Sequence, residues 1–233
     1  MKKILKFSLV MLLIIQHNFA QTKPGNAGQI MSVTSSHSSN QALYFNTGDI
    51  KMSDIDGSTY INDDFSLAKV SNIEAYVNAR YNAYTDEMEL EIKNEIGYLI
   101  KISELKVVFQ SDKSTYKVFD FQDEVEVKKG FFRLLSEGEG ISLLAKESIK
   151  FHKEKMPTRG YEKRTPATFK RSKDKLFISL KNSSATKLPN KKKNMLKLFS
   201  SNSNAIEEYA KKNKLGFKNK EDLTKIFNYF NTL

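Results

Sequence analysis

Residues 73–92 have the sequence IEAYVNARYNAYTDEMELEI, in which apolar residues occupy alternate positions. The alternation runs over residues 73–81, breaks at Thr85 and Asp86, and resumes over residues 88–92. A period of two is typical of a strand with one face against a hydrophobic core. The segment therefore predicts two half-buried strands, arranged either in series or as a hairpin.

Short runs of β-branched and aromatic residues on the C-terminal side predict further strands, over residues 98–109 and 115–121. Residues 131–153 predict a hairpin, because the glycines of its central SEGEG sequence suit the positive φ angles of a tight turn. Residues 169–180 predict a second hairpin, with its bend at residues 173–175.

The alternation also assigns side chains to the two faces of the sheet. Glu87, Glu89 and Glu91 alternate with apolar residues and are expected to face water. The expected core consists of large apolar residues: Tyr81, Met88, Leu90, Phe109, Phe119, Phe132, Leu143 and Phe177.

The C-terminal part of the chain has a helical pattern instead. Residues 190–199 predict a short amphipathic helix. Asn204 and Glu207 have the spacing of a capping box, which predicts a second helix through Lys212. Asn219 is expected to open a third helix, whose first turn contains two acidic residues that suit the helix dipole.

These patterns together predict an α+β protein. Its antiparallel, curved β-sheet, either a sandwich or a partly closed barrel, is expected over residues 43–188. A Lys-rich helical segment packed on the sheet is expected over residues 189–233.

The N-terminal residues have the composition of an export signal. Residues 1–20 combine a positive start, a short apolar stretch and a small residue, Ala20, at the expected cleavage site. An uncleaved membrane anchor is the alternative. Residues 21–42 are rich in Ser and Asn and predict a flexible leader. We therefore expect an exported protein of the periplasm or cell surface, with no transmembrane segment after signal removal.

Cysteine is absent from the sequence. Its absence excludes disulfides, thiolate metal sites, thiol nucleophiles and a lipid anchor attached at cysteine. Stability must therefore come from burial and backbone pairing, and we expect no cofactor.

Charge is divided unevenly along the chain. Residues 21–149 carry 13 basic and 20 acidic side chains, residues 150–186 carry 11 and 3, and residues 187–233 carry 11 and 4. The basic part is either a solvated surface or a face for an anionic partner, such as an envelope protein, anionic lipid or polysaccharide. Nucleic acid is not expected, because Lys rather than Arg dominates. The candidate binding residues are lysines of the helical segment: Lys191, Lys192, Lys193, Lys197, Lys211 and Lys212.

Candidate catalytic residues are few. His152 lies in a Lys-rich strand end with no nucleophile pattern around it, which favours an exposed histidine over a triad member. Residues 54–65 resemble a calcium loop, but Thr59 and Phe65 replace the required glycine and glutamate. A carboxylate-based hydrolase that uses Asp63, Asp64 and Asp86 remains the alternative to a non-enzymatic protein.

Two segments resemble a family of exported Bacteroidota proteins of unknown function. They are GSTYINDDF, residues 57–65, and RYNAYTDEME, residues 80–89. The resemblance implies a Gram-negative envelope setting and a β-rich fold, and it supplies no catalytic residue. The motif residues whose role the sequence leaves open are Tyr81, Asn82, Tyr84, Asp86 and Glu87.

The expected function is therefore that of an exported, non-enzymatic protein that binds a partner or ligand in the cell envelope. The motivation is the lack of a catalytic motif together with the basic C-terminal part. Enzymatic activity stays open only through the carboxylate alternative.

Overall fold

The computed structural model describes residues 55–123, 126–157, 159 and 163–233. The predicted signal peptide, the predicted leader and the first residues of the predicted β-rich domain lie outside these ranges.

The described residues form twelve β-strands and a C-terminal group of helices. The strands are β1 (Ser66–Val70), β2 (Tyr76–Asn82), β3 (Glu87–Ile92), β4 (Glu95–Tyr98), β5 (Lys106–Phe109), β6 (Thr115–Gln122), β7 (Val127–Ser136), β8 (Ile141–Lys146), β9 (Ile149–His152), β10 (Thr168–Arg171), β11 (Lys175–Leu180) and β12 (Thr186–Lys187). The helices are α1 (Lys192–Leu196), a 3₁₀ helix (Lys197–Asn202), α2 (Ser203–Lys212) and α3 (Lys220–Phe230).

Ten strands form one open antiparallel sheet in the order β12-β11-β8-β7-β6-β5-β1-β2-β3-β4, and β9 and β10 form a separate pair. The prediction of an α+β protein with an antiparallel sheet and a C-terminal helical segment is confirmed. The edges of the large sheet are β12 and β4.

Residues 73–92 form a hairpin rather than two strands in series. Strand β2 pairs with β3 in antiparallel register, with Tyr81 opposite Met88 and Ala79 opposite Leu90. The turn includes Asp86 in the left-handed region, at φ 61°. Aspartate tolerates this conformation better than most residues do, because its short side chain can hydrogen-bond locally.

The predicted hairpin over residues 131–153 is confirmed for residues 131–146, where β7 pairs with β8. Residues 149–152 instead form β9, which pairs with β10, and neither Gly138 nor Gly140 has the positive φ angle that was expected.

The turn between β7 and β8 lies against the C-terminal residues. A Cβ atom on Gly138 would lie 2.2 Å from Oδ1 of Asn231, whose amide nitrogen donates to Ser136 at 3.1 Å. Glycine at position 138 therefore lets the hairpin turn and the C terminus approach each other.

The predicted hairpin over residues 169–180 is wrong. Strand β10 pairs with β9 in the small sheet, whereas β11 pairs with β8 in the large sheet. The bend at residues 173–175 is a crossing between the two sheets, and Asp174 is fixed there by Arg171 at 3.3 Å and Lys220 at 2.7 Å.

The eight predicted core residues are all buried, with Phe109 the most exposed at 7%. The core has three parts. One fills the space between β1–β3, β5–β7 and the small sheet, and a second lies between the helices and strands β8 and β11. The third contains the aromatic residues Phe119, Phe132 and Phe177.

The helical predictions are correct in number and approximate in their bounds. Helix α2 begins at Ser203, so Asn204 lies inside it and is not its cap; the chain already turns in the preceding 3₁₀ helix. Asn219 does cap α3, because its side chain accepts hydrogen bonds from the backbone N–H groups of Glu221 and Asp222.

We predict that Phe132→Ala lowers the free energy of unfolding by about 3–5 kcal/mol. Phe132 is fully buried and its ring packs on Phe119, Phe121 and Phe177, with centroid distances between 5.1 and 5.9 Å. Urea unfolding followed by circular dichroism measures the change. The control is Tyr76→Ala, an aromatic that is 55% exposed, which should cost no more than about 0.5 kcal/mol. Equal costs for the two variants would contradict this description of the core.

Candidate functional site

The motif residues of unknown role come together at the β2–β3 turn. The Tyr81 hydroxyl donates to Oδ1 of Asp86 at 2.7 Å. Asn82 Oδ1 accepts from the backbone N–H groups of Tyr84 and Thr85, both at 3.2 Å. These bonds close the turn on itself and aim the Asp86 carboxylate toward strands β7 and β8.

Asp86 forms a partly buried ion pair with Lys146, the last residue of β8. Lys146 Nζ lies 2.6 Å from Asp86 Oδ1 and also donates to the Phe131 carbonyl at 2.9 Å. The backbone N–H of Phe131 donates to the same carboxylate oxygen at 3.2 Å, and Lys101 Nζ lies 3.2 Å from Oδ2. Asp86 therefore accepts a hydrogen bond from a backbone N–H of β7 that lies beyond the end of the β7–β8 pairing. The last pair of residues in that pairing is Arg133 with Ala145.

The surroundings of Lys146 are largely aromatic. Its ammonium lies 5.0 Å from the centroid of the Phe132 ring and 5.5 Å from that of Phe121. Burial lowers the pKa of Lys146, and the Asp86 charge opposes that shift. The Lys146 ammonium donates to Asp86 and to the Phe131 carbonyl, so this amine has a structural role in the described fold.

Glycine at position 130 makes room for the ion pair. A Cβ atom there would lie 2.7 Å from Lys146 Nζ, 2.9 Å from Asp86 Oδ2 and 2.9 Å from the Phe121 ring. Any side chain at this position must push one of these three groups aside.

Arg80 joins the two segments that carry the family resemblance. Its guanidinium donates to Glu89 at 2.8 Å, to the Tyr60 hydroxyl at 2.9 Å and to the Asp63 carbonyl at 3.0 Å. It also lies 3.8 Å from the centroid of the Tyr60 ring and 4.3 Å from that of Phe65. The GSTYINDDF segment is therefore held on the sheet by the residues of RYNAYTDEME.

The prediction that Glu89 faces water is wrong. Glu89 is only 4% exposed, because Arg80 and Tyr60 cover its carboxylate. Burial, together with the Glu89 charge, raises the pKa of Tyr60 to about 12, so its phenol stays protonated at neutral pH and donates to Glu89. Glu87 and Glu91 are half-buried, and Glu87 Oε2 has no hydrogen-bond partner among the described residues.

A second buried carboxylate, Glu147, was not predicted from the sequence. Its side chain is fully buried and accepts from the Tyr116 hydroxyl at 2.5 Å and from Arg171 at 2.6 Å, with Arg133 at 3.5 Å. Burial raises the pKa of Tyr116 well above its usual value, and the Glu147 charge adds to that shift. Arg171 also contacts Asp174, which in turn pairs with Lys220 of α3. This chain of contacts links the core to the helices.

The carboxylates of the hydrolase alternative, Asp63, Asp64 and Asp86, do not lie on the same loop. Asp63 and Asp64 are exposed on the loop before β1, and Asp63 accepts from the hydroxyl of Ser58. Asp86 is held by lysines as described above. His152 is exposed at the end of β9, as expected. Within the described ranges no group of three or more His, Asp or Glu side chains could hold a metal ion.

The predicted binding lysines are all exposed. Lys192, Lys193 and Lys197 line a shallow hollow of about 580 Å³ beside α1. Lys192 pairs with Glu207 and lies 5.2 Å from the centroid of the Phe217 ring. Lys211 and Lys212 lie at the C-terminal end of α2.

A deeper concavity lies on the other side of α1, where the helices meet the sheet. Two hollows, of about 500 and 450 Å³, adjoin there and share Lys173, Asp174, Leu176 and Lys218 as lining residues. We call this surface the basic groove and define it by four lysines and two apolar residues: Lys173, Lys175, Lys187, Lys218, Leu176 and Phe217. The sequence does not group these lysines, because they come from three separate places: the bend at residues 173–175, strand β12 and the loop before α3.

Comparisons with protein-family models, with curated proteins and with solved structures find no match. Among the described helices, none has both the length and the apolar character needed to cross a bilayer.

We predict that Gly130→Ala lowers the free energy of unfolding by about 1–3 kcal/mol, because the added methyl group crowds the Asp86–Lys146 pair. Chemical denaturation of both proteins measures the difference. Gly140→Ala is the matched control, since a Cβ atom there meets nothing within 4 Å, and it should change stability by less than about 0.5 kcal/mol. If both glycines tolerate alanine equally well, the close approach at position 130 is not a constraint.

Proposed function

We propose that this chain is an exported, non-enzymatic protein that binds an anionic partner of the cell envelope through the basic surface of its C-terminal part. The observation that supports the proposal best is that most lysines on this surface have no ion-pair partner among the described residues. Of the six predicted binding lysines, only Lys192 has a carboxylate within ion-pair distance in the part of the chain that the structure describes.

The fold turns these lysines outward. Helices α1–α3 bury Met195, Ile206, Leu223 and Phe227 in the core cluster that lies against β8 and β11. Since one face of each helix is used in this way, the opposite faces carry the exposed lysines. A positive surface with few internal partners attracts extended anionic surfaces such as lipid headgroups or acidic polysaccharide.

The other charged clusters support a structural role instead. Asp86, Glu89 and Glu147 each pair with basic side chains of the same chain, and none of them is left free to act on a substrate. No observation in the described residues favours the hydrolase alternative, which stays a prediction.

We predict that reversing Lys191, Lys193 and Lys197 to Glu weakens binding to vesicles containing phosphatidylglycerol by at least about tenfold, because each lysine near an anionic surface contributes about 1 kcal/mol. Wild-type binding should itself fall as salt rises, since exposed charges are screened beyond about 8 Å at physiological ionic strength. Vesicle co-sedimentation measures both effects. The variant spares Lys192, so its pair with Glu207 stays intact.

The matched control reverses Lys150, Lys153 and Lys170, three exposed lysines of the small sheet and its border. It changes net charge by the same amount and should retain most of the binding. Equal loss in the two variants would show that overall charge alone attracts the protein. Full retention by the α1 variant would contradict the proposed binding surface.

A further inference from the structure

We propose that the basic groove is a binding site for a phosphate monoester whose organic part packs against Phe217 and Leu176. The inference goes beyond the proposed function, because the lysines of the groove are different from the six lysines of the proposed binding surface.

The walls of the groove are fixed by contacts inside the protein. Asp174, at the crossing between the two sheets, is held by Arg171 and Lys220. The loop before α3 is fixed by a hydrogen bond from the Gly216 N–H to Asp222 at 2.8 Å. The concavity is therefore present before any ligand binds, which lowers the entropic cost of binding.

The larger hollow carries an excess of positive charge. Lys173, Lys175, Lys187 and Lys218 line it, and none of the four has a carboxylate within 4 Å in the described ranges. Asp174 is the acidic residue on its lining, and two basic side chains already neutralise it. The other acid of the groove, Glu221, lines the smaller hollow. An anion is therefore favoured in the larger hollow.

The presence of four lysines on the lining of one hollow favours a doubly charged ligand. A phosphate monoester carries about −1.5 to −2 charges at neutral pH and offers three acceptor oxygens. Lysine binds phosphate as a point charge without the planar geometry that arginine imposes. The helix end nearby does not supply the site, because Asn219 already accepts from two N–H groups of α3.

The floor of the groove has room for the organic part of such a ligand. Leu176 and Phe217 are half-buried and line the larger hollow, above the buried Met195 and Leu223. The ammonium of Lys192 lies 5.2 Å from the centroid of the Phe217 ring. A cavity of about 500 Å³ is in the range that proteins use for small ligands.

The test is a titration of the full mature chain with glucose 6-phosphate, followed by amide chemical shifts in nuclear magnetic resonance spectra. We expect saturable shifts at residues 173–176, 187–190 and 217–221. The variant K173Q/K218Q should bind at least about tenfold more weakly, because it removes two charge-assisted contacts. The control K150Q/K170Q, with the same change in net charge at two exposed lysines of the small sheet, should bind within about twofold of wild type.

Three further ligands test the chemistry and the source. Glucose alone should cause no shift at these residues, and inorganic phosphate should require a higher concentration than glucose 6-phosphate. A short-chain phosphatidic acid distinguishes a lipid source from a free sugar phosphate, because the tighter binder of the two identifies the source. Equal affinity for inorganic phosphate and glucose 6-phosphate would overturn the role assigned to Phe217 and Leu176.

Failure of this inference can be told apart from failure of the proposed function. If the groove residues do not respond to any monoester while wild-type protein still binds phosphatidylglycerol vesicles, the groove proposal is wrong and the surface proposal stands. Equal weakening by K173Q/K218Q and K150Q/K170Q would also overturn the groove as a defined site.

Discussion

The architecture depends on the ion pair between Asp86 and Lys146, two residues that are 60 positions apart in sequence. It connects the β2–β3 turn to the end of β8, although β2 and β8 are separated by β1, β5, β6 and β7 in the sheet. A flat ten-stranded sheet could not bring these strands together, so the contact requires the sheet to curl. Breaking this partly buried pair leaves an uncompensated charge, so opening the curled sheet costs free energy.

The same region positions the basic groove. Glu147 follows Lys146 directly and is buried. Its carboxylate accepts hydrogen bonds from Tyr116 and Arg171. Arg171 contacts Asp174, and Asp174 contacts Lys220 in α3. Glu147, Arg171, Asp174 and Lys220 therefore form a chain of polar contacts from the core to the wall of the groove. The Asp86–Lys146 pair adjoins the start of this chain, because Lys146 and Glu147 are neighbours in sequence.

The alternation of hydrophobic residues was sufficient to predict most of the fold. It identified the two strands β2 and β3, with a hairpin as one of two arrangements, and the buried aromatic residues, because these depend on one face of a strand. The β7–β8 hairpin was predicted from the glycines between its arms. It failed at residues 169–180, where the local pattern of a hairpin is the same whether β10 pairs with β11 or with β9. It also failed at Glu89, because alternation cannot show that Arg80 and Tyr60 cover a polar face. The lysines of the groove could not be grouped in advance, since only the tertiary fold brings residues 173, 187 and 218 together.

The most direct test of this account is a double-mutant cycle on the ion pair, with Asp86→Asn, Lys146→Met and the double variant compared by urea unfolding. Asp86→Asn should lower the free energy of unfolding by about 3–5 kcal/mol, because it leaves the Lys146 charge without its carboxylate. Lys146→Met should cost less, about 1–3 kcal/mol, because Lys101 and Tyr81 still contact Asp86. The double variant should be more stable than the sum of the two losses implies, by at least about 1 kcal/mol of coupling. Additive losses, with coupling near zero, would contradict the claim that this pair holds the sheet in its curled form.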